Sequence, residues 1–396
     1  MTCAKSLIAG VLVIGGCSGG GGGESVVVRT VTDRTGAPTA GVRVQVEDSP
    51  WVTTDAAGEA SFEDIAEPFT VRLHEPDDAW DNVIVLGGRT GREVVAEVGG
   101  PGIPEWHSAA VSGTVSGRAG DASDSIVRVG VAPYKDYSIY VEAAADSTFD
   151  VSVLWREPPG VSSATLALHA WEVDTATPPG HYYGFARSPA QTFVEREAVE
   201  GMNLSLEPVD EAIVDATISV PAGVTVAPLM HLWLDYAPYE QLTVVAEEID
   251  PDPFSIVVPQ VPDAESWLGV WAGARWHFRL IDGASSDLAF APPASSELLA
   301  PAEGASLSAA PVFRWNPIEP GGISSLFVSC STPDAQSGAK FFITPDPADG
   351  DQATLPTIDG VDIPAAATCS WSVFWCAADS PTEKRCSWGL ERGLAL

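Results

Sequence analysis

The sequence predicts an all-β fold, built as a tandem array of immunoglobulin-like and transthyretin-like β-sandwiches. Helical periodicity is nearly absent, and short β-branched runs recur every ~8 to 12 residues between clusters of Gly, Pro, Asp and Ser, as in sandwich domains. The chain has 396 residues, 32 prolines and 37 glycines, and 45% of its residues are hydrophobic. At ~100 to 200 residues per domain, this length predicts two to four domains.

Residues 1–16 have the layout of a secretory signal peptide. Lys5 precedes an apolar run from Leu7 to Ile14, and the small residues Gly15 and Gly16 follow. The run is too short to span ~30 Å of hydrocarbon as a helix. It is typical of the hydrophobic region of a signal peptide that is removed on export.

Ile14-Gly15-Gly16-Cys17 resembles the lipobox of bacterial lipoproteins. The resemblance implies cleavage before Cys17 and acylation of that cysteine, and several acyl chains give stable membrane anchoring. Ser18 favours the outer membrane in that family's sorting rule. The segment 17–24 then provides a lipidated cysteine and a flexible glycine tether. A plain secretory signal with an incidental cysteine is the alternative.

The acidity of the chain limits its partners. The formal net charge is −34, and nucleic acids and anionic membrane surfaces both require cationic contacts. We therefore expect no nucleic-acid partner. No motif in the sequence indicates a cofactor, and none is expected. The expected partners are the membrane, through the lipid anchor, and possibly a glycan or another envelope protein. Solubility explains the charge most simply, and binding of divalent cations is the alternative.

Residues 25–100 form the first predicted sandwich. Val42, Val44 and Val46 alternate with polar residues, which predicts a strand with one buried face. Asp33–Gly36 and Asp55–Gly58 are predicted turns, because aspartate accepts a local backbone hydrogen bond and glycine supplies a positive φ. The D-x-x-G-x-P, G-V-x-V and T-D-x-x-G motifs resemble the carboxypeptidase regulatory-like (transthyretin-like) sandwich. That resemblance implies a non-catalytic spacer or binding module.

Residues 105–209 and 210–293 are predicted to be two copies of one sandwich. Related segments recur at offsets of about 100 residues, which is longer than the repeat of a solenoid and indicates an array of domains. The paired segments are Val111–Ser116 with Val214–Ser219, Val131–Tyr134 with Tyr236–Tyr239, Phe149–Val153 with Phe254–Val258, and Leu168–Trp171 with Leu268–Trp271.

Residues 298–396 form the last predicted sandwich. A P-x-x-G turn at Pro301–Gly304 precedes the strand Phe313-Arg314-Trp315. This pattern resembles the immunoglobulin-like or fibronectin type III-like modules of bacterial surface proteins. The resemblance implies that Trp315 fills the core.

The remaining cysteines predict disulfides. The lipobox resemblance implies that Cys3 leaves with the signal peptide and that Cys17 is acylated. Of the six cysteines four then remain, and an even number in an exported chain indicates disulfide bonds. The four are Cys330, Cys369, Cys376 and Cys386.

One strand limits how these cysteines pair. Cys369 and Cys376 lie seven residues apart on a predicted strand, or ~23 Å, whereas bridged Cα atoms lie at most ~7 Å apart. The favoured pairs are Cys330 with Cys369, on facing inner surfaces, and Cys376 with Cys386 across a hairpin. The alternation with Trp388 places Cys386 on the inner face and Cys376 on the outer one, so the second pair requires a bulge and other pairings stay open.

No residue pattern indicates catalysis. The G-x-S-x-G match at Gly16–Gly20 lies in the lipobox and lacks the strand and helix that a nucleophile elbow needs. No histidine lies two to five residues from another, which excludes the usual spacing of metal ligands. The histidines are His74, His107, His169, His181, His231 and His277. We therefore predict that the chain is not an enzyme.

Two weaker patterns suggest binding. The acidic turns at 247–252 and 346–351 concentrate the oxygen ligands that calcium prefers, although a solvated loop explains them equally simply. The stretch His181–Phe185 and the cluster Trp267, Trp271 and Trp276 are rich in aromatic residues. Such rings either pack in a core or stack on flat ligands such as sugars.

The sequence thus predicts a non-catalytic outer-membrane lipoprotein that presents β-sandwich binding or spacer modules for adhesion or for glycan or protein binding. We expect it in the cell envelope, facing either the surface or the periplasm. The first alternative is a periplasmic scaffold component of an envelope complex. The second is a carbohydrate-active enzyme whose carboxylates are dispersed along the chain.

Overall fold

A computed structural model describes most of the chain, with short gaps between the described ranges. Cys17, the glycine tether, the turn residues 33–35 and the acidic residues 250–252 lie outside them. The described residues are 5–8, 11–14, 24–32, 36–75, 80–99, 105–120, 124–134, 137–144, 146–157, 161–176, 180–220, 224, 227–237, 240–249, 253–282, 288–306, 311–316, 318, 322–333, 337–358, 361, 363, 367–380, 382–389 and 391–395.

The described residues fold almost entirely as β-strands, which confirms the predicted class. In this part of the chain, no helix is long and apolar enough to cross a membrane, and the one helix is a single 3₁₀ turn at Pro347–Asp349. The strands up to residue 98 are β1 Lys5–Ile8, β2 Val11–Ile14, β3 Glu24–Thr32, β4 Arg43–Val46, β5 Val52–Thr53, β6 Glu59–Ile65, β7 Phe69–Glu75, β8 Trp80–Arg89 and β9 Glu93–Val98.

The strands of the central region follow in chain order. They are β10 Glu105–Ser116, β11 Ser125–Tyr134, β12 Tyr137–Glu142, β13 Thr148–Glu157, β14 Ser163–Leu166, β15 Leu168–Asp174, β16 Tyr182–Arg187, β17 Gln191–Val194, β18 Ala198–Ser205, β19 Asp210–Ile218, β20 Leu229–Ala237, β21 Glu240–Glu248, β22 Phe254–Gln260, β23 Glu265–Trp271, β24 Arg275–Ile281 and β25 Leu288–Phe290.

The C-terminal region completes the set. Its strands are β26 Glu297–Ala300, β27 Ala305–Ser306, β28 Val312–Asn316, β29 Ile323–Ser331, β30 Gly338–Thr344, β31 Gln352–Thr354, β32 Thr368–Ser380, β33 Glu383–Trp388 and β34 Arg392–Ala395.

The chain divides into two compact units. Unit 1 combines residues 1–102 with residues 293–396, and unit 2 comprises residues 103–292. Each unit therefore contains two of the sandwiches that the sequence predicts. The predicted boundaries at 16, 24, 100, 209 and 293 stay predictions, since nothing here tests the division itself.

The N-terminal sandwich of unit 1 packs the sheet β6-β3-β9 against the strands β5-β4-β7-β8. Val42, Val44 and Val46 are at most 2% exposed, as their alternation predicts. At the turn before β6, Oδ1 of Asp55 accepts a hydrogen bond from the backbone N of Ala57 at 2.8 Å, and Gly58 has a φ of 72°. The local chemistry that the sequence indicates for this turn is therefore present.

The C-terminal sandwich of unit 1 packs the sheet β26-β28-β31 against the strands β30-β29-β32-β33. Phe313 and Trp315 are 0% and 2% exposed, and the ring of Phe313 meets the edge of Trp371 with centroids 5.1 Å apart. The predicted F-x-W strand therefore supplies the centre of this core.

A parallel strand pair joins the two sandwiches of unit 1. Residues Trp80–Leu86 of β8 pair in register with Gly338–Thr344 of β30, so one sheet runs through both sandwiches. Val83 and Val85 belong to the C-terminal core, whereas Leu86 belongs to the N-terminal core. Strand β8 is thus buried on both faces by two different sandwiches.

Side chains on either side of this strand pair reinforce the joint. Trp51, from the N-terminal sandwich, packs against the C-terminal core. Phe342, from β30, packs in turn against the N-terminal core. Each sandwich therefore contributes apolar surface to the core of the other. The first and last sandwiches in the sequence are packed together in one unit.

Unit 2 contains the predicted duplication. The first copy has sheets β13-β10-β18 and β12-β11-β15-β16, and the second has β22-β19-β25 and β21-β20-β23-β24 in the same spatial order. The register agrees as well, because Val111 pairs with Val151 and the corresponding Val214 pairs with Ile256. The small sheet β14-β17 has no counterpart among the described strands of the second copy.

One predicted correspondence is displaced by four residues. Strand β11 of the first copy corresponds to β20 of the second, with residue numbers that differ by 105. Arg128 in the first copy therefore corresponds to Trp233 in the second. Arg128 pairs with Trp171, and Trp233 pairs with Trp267. The structural equivalent of Trp171 is therefore Trp267 and not Trp271. The sequence alone favours Trp271 because β23 carries two tryptophans, Trp267 and Trp271, four residues apart.

The two copies share one core. Trp171, Val173, Tyr182 and Phe185 of the first copy lie in the same apolar cluster as the interior of the second copy. Trp171 is completely buried, and its ring stacks on Phe185 with centroids 6.3 Å apart. The outer face of the first copy's β15 and β16 is thus covered by the second copy.

Candidate binding surface

The most distinctive surface of unit 2 is the outer side of the sheet β20-β23-β24. Residues on the inner side of these strands, such as Leu232 and Val270, lie in the core. Because side chains alternate along a strand, the intervening residues project outward. We call them the aromatic face: Trp233, Trp267, Trp271, Trp276 and Phe278.

The rings of the aromatic face pack against one another. The centroids of Trp233 and Phe278 are 4.7 Å apart at 70°, and those of Trp271 and Phe278 are 5.6 Å apart at 87°. Trp276 meets Trp271 edge-on at 6.4 Å. Edge-to-face pairs of this kind each contribute ~0.5 to 1.5 kcal/mol beyond the area they bury. The rings therefore hold one another in fixed orientations.

Gly269 makes this packing possible. It lies between Trp267 and Trp271 on β23 and faces the same side. A Cβ atom at this position would lie 2.3 Å from Cδ1 of Phe278 and 3.0 Å from Cη2 of Trp233. Glycine is required here by the close approach of the two rings.

Exposure differs across the aromatic face. Trp233 and Trp267 are 8% and 5% exposed, so they are packing residues. Trp271, Trp276 and Phe278 are only partly buried and present ring surface to solvent. A flat apolar ligand therefore has three rings to contact, and the buried pair supports them.

His231 borders the aromatic face without adding charge at neutral pH. Its ring meets Trp271 edge-on with centroids 4.0 Å apart, and burial lowers the pKa of His231 to about 4. The imidazole is therefore neutral near pH 7 and packs edge-on against Trp271.

The other aromatic stretch that the sequence singles out is mainly core. Tyr182 and Phe185 are 1% and 5% exposed, and burial raises the pKa of the Tyr182 hydroxyl. His181 is exposed and pairs through Nδ1 with Glu211 at 2.8 Å. Core packing also explains most of the tryptophans, since seven are less than a tenth exposed: Trp155, Trp171, Trp233, Trp267, Trp315, Trp371 and Trp375.

Four of the six histidines pair with carboxylates, and each of the four pairs with a different one. The nearest nitrogen–oxygen distances are 2.8 Å for His74–Asp81, 3.3 Å for His107–Glu195, 3.0 Å for His169–Glu240 and 2.8 Å for His181–Glu211. His277 accepts a hydrogen bond from the backbone N of Ala291 at 2.8 Å. Within the described ranges, no three His, Cys, Asp or Glu side chains are placed to hold a metal ion.

The acidic turn at 346–351 uses one carboxylate locally. Oδ1 of Asp346 accepts a hydrogen bond from the backbone N of Ala348 at 2.8 Å and caps the 3₁₀ turn. Asp349 and Asp351 are exposed, and partial burial raises the pKa of Asp351. The other acidic turn is described only up to residue 249. Neither turn forms a cation site within the residues described.

Two disulfide bonds cross-link three neighbouring strands of unit 1. Cys330 of β29 bridges Cys369 of β32, and Cys376 of β32 bridges Cys386 of β33, with Cα–Cα distances of 4.0 and 4.2 Å. These are the pairs that the sequence favours. All four cysteines are at most 6% exposed. Such bonds persist in oxidising compartments, which indicates an extracellular or envelope protein.

The Cys376–Cys386 pair itself needs no bulge, contrary to the sequence expectation. The register shift of this hairpin lies between Ala377 and Ser380, on the turn side of the bridge. The two cysteines are directly opposite in the β32–β33 ladder, and Phe374 is opposite Trp388. Directly opposed residues share a face, so Cys386 and Trp388 lie with Cys376 on the side away from Trp371. Cys386 and Trp388 do share one face of β33, as their alternation predicts. The prediction that this is the inner face is wrong.

Comparisons with known proteins identify no family. No protein-family model matches the chain, and no curated protein matches it. The resemblances to lipoproteins, to the carboxypeptidase regulatory-like sandwich and to fibronectin type III modules therefore stay predictions.

Several solved structures show weak similarity. The Bacillus anthracis TIE protein is 11% identical over 68% of this chain and 50% of its own, with a TM-score of 0.17. A DUF3823 family protein from Parabacteroides merdae is 13% identical over 46% of this chain and 98% of its own, with a TM-score of 0.21.

A third similar structure contains two B repeat units of the collagen-binding protein of Staphylococcus aureus. It is 10% identical over 89% of this chain and 92% of its own, with a TM-score of 0.14. This chain spans only half the length of the TIE protein. Similarity at such low TM-scores carries no information about function.

Proposed function

We propose that this chain is a non-catalytic, lipid-anchored protein of the bacterial outer membrane that binds glycans through the aromatic face. The observation that carries the proposal is the arrangement of Trp271, Trp276 and Phe278, which present ring surface on a rigid sheet. Apolar ring faces suit the flat faces of sugars, and rings held in place lose little entropy on binding.

The spacer part of the proposal rests on the two joints. In unit 1 a strand pair connects the sandwiches, and in unit 2 a common core does so. Modules joined in these ways bend little relative to their partners, unlike domains on flexible linkers. Each unit is thus suited to present a surface at a fixed orientation.

The lipoprotein part of the proposal rests on the sequence Ile14-Gly15-Gly16-Cys17 and the glycines after it. The buried disulfides support export. Metabolic labelling with a fatty acid tests the anchor. Label should be lost in Cys17→Ser and retained in Cys3→Ser. Equal labelling of both variants would refute acylation at Cys17.

A glycan array probed with the full chain tests the binding function, followed by titration of any glycan that binds. Trp271→Ala and Trp276→Ala should each weaken binding about tenfold, or ~1.4 kcal/mol. Trp106→Ala is the matched control, because Trp106 is 52% exposed on β10 of the other repeat. Absence of any glycan ligand, or equal effects of all three substitutions, would exclude the aromatic face as the binding site.

A further inference from the structure

A cavity of about 270 Å³ lies at one end of unit 2, beside the turn between β22 and β23. Its polar lining includes Gln260, Glu265 and Asp282. Val261 and Leu280 contribute apolar walls. A volume of about 270 Å³ lies just below the range of ~300 to 1,000 Å³ for ligand pockets, and it suits a single sugar ring better than a larger cofactor.

The cavity continues the line of the aromatic face. Leu280, which lines the cavity, is the cross-strand partner of Trp267. Glu265, also in the lining, lies two residues before Trp267 on the same side of β23, and its Oε2 accepts a hydrogen bond from Nε1 of Trp267 at 3.3 Å. From Trp271 to Glu265 the strand extends about 20 Å. The partly exposed residues Leu280, Phe278 and Trp276 alternate along β24, and they connect the cavity to the exposed rings in one strip.

The polar groups in the cavity select against anions. Glu265 and Asp282 supply carboxylate acceptors, and no lysine or arginine is among the lining residues. Nε2 of Gln260 is buried and makes no hydrogen bond to any described residue, so it becomes an amide donor to a ligand when the Gln260 side chain turns towards the cavity. Sugar hydroxyls both donate and accept hydrogen bonds and so satisfy such a set, whereas a carboxylate or sulfate would face two negative charges.

We infer that this strip binds the end of a neutral saccharide chain, with the terminal ring in the cavity and the following rings over the partly exposed Phe278, Trp271 and Trp276. The inference rests on the proposed glycan-binding function and adds the charge class, the direction and the length of the ligand. Acidic glycans are excluded by Glu265 and Asp282, in keeping with the net charge of −34.

The test is calorimetric titration of the full chain with cello-, malto- and chito-oligosaccharides, from the monosaccharide to the hexasaccharide, and with oligogalacturonates. Affinity for one neutral series should rise with chain length until the ligand spans about 20 Å and then level off. Oligogalacturonates should bind at least about tenfold more weakly. Equal affinity for the acidic series would overturn the inference.

Isosteric variants separate the cavity from the aromatic face. Glu265→Gln with Asp282→Asn should weaken neutral binding about tenfold and reduce the discrimination against oligogalacturonates. Glu248→Gln is the matched control, since Glu248 is an exposed acid on β21 outside the cavity lining.

Each remaining outcome has a distinct meaning. If Trp271→Ala abolishes binding and the cavity variants do not, the glycan-binding function stands and the role of the cavity is wrong. If no oligosaccharide binds, the glycan-binding function and the role of the cavity are both wrong. Release of new reducing ends during the titration would show that the chain cleaves glycans, and the protein would then be a carbohydrate-active enzyme and not a non-catalytic binder.

Discussion

The two units join their sandwiches by different means. In unit 1 the joint is a backbone ladder between β8 and β30, with apolar side chains on both faces of β8. In unit 2 it is a shared apolar core, bordered by the buried ring of His169 and its partner Glu240. The stability of a backbone ladder depends on strand register and little on any one side chain. The stability of a shared core depends strongly on single buried residues. The units should therefore respond differently to mutation and to pH.

The border of the unit 2 joint is a cluster of polar and aromatic groups from both copies. Nε2 of His169 lies 3.0 Å from Oε1 of Glu240, and Arg187 donates to both carboxylate oxygens at 2.8 and 2.5 Å. The ring of Tyr236 lies against both of these side chains, with its centroid 4.8 Å from the imidazole centroid of His169 and 5.1 Å from the guanidinium carbon of Arg187. The carboxylate fixes the proton of the neutral imidazole on Nε2.

The largest effect is expected from Trp171→Ala. This side chain is completely buried between the two copies, and emptying such a site costs ~3 to 5 kcal/mol. In hydrogen exchange of the full chain, β20 and β23 should lose protection together with β15, while β8 and β30 keep theirs. Trp106→Ala, on an exposed tryptophan, is the control. Loss of protection in the first copy alone would show that the cores are not energetically coupled.

A smaller effect, confined to unit 1, is expected from Cys330→Ala with Cys369→Ala. The bridge closes a segment with a sequence separation of 39, and removing such a bond costs ~2 to 4 kcal/mol. The comparison variant replaces Cys376 and Cys386, whose separation is 10, and should cost less. Denaturant unfolding followed by exchange in each unit measures both. Weaker protection in unit 2 would show that the units do not respond independently.

The smallest effect is expected from Glu240→Gln, and it depends on pH. Although burial opposes ionisation, the His169 and Arg187 bonds lower the pKa of Glu240 to about 2. Burial also lowers the pKa of His169. The stabilisation from Glu240 is complete above its unfolded pKa of ~4.5 and is lost as the pH falls towards 2, while proton uptake by unfolded His169 destabilises the fold below ~6.5.

Both groups therefore weaken unit 2 as the pH falls. Glu240→Gln should cost about 1 kcal/mol at pH 7, a modest value because Arg187 is partly exposed. It should also flatten the pH dependence of unit 2 between ~4.5 and 2. Denaturant midpoints across this range, read separately for each unit, measure the difference. An unchanged slope would show that Glu240 does not couple to the stability of the joint.

The sequence predicts what depends on local periodicity. The alternation at Val42–Val46 identifies a half-buried strand, and the D-x-x-G motif identifies its turn. The duplication is visible because each copy keeps the same register. The displaced match at Leu268–Trp271 shows the limit of this reasoning, since a strand with tryptophan at positions four apart fits two alignments equally well.

The strand pair of unit 1 was not predicted, because a parallel pair between distant segments has no connecting turn and leaves no local signal. One clue was present. Residues 83–86 read Val-Ile-Val-Leu, a continuous apolar run that is typical of a strand buried on both faces. The candidate site was predicted in part: Trp271 and Trp276 were singled out, whereas the supporting role of Trp233 and the cavity at Gln260 follow only from the fold.

The insertion of unit 2 within unit 1 changes what proteolysis can reveal. Any cut between residues 103 and 292 divides the chain into two pieces, and each piece carries half of unit 1. The ladder between β8 and β30 and the reciprocal packing of Trp51 and Phe342 hold those halves together without a peptide bond. We therefore expect a molecule cut within unit 2 to retain its C-terminal fragment.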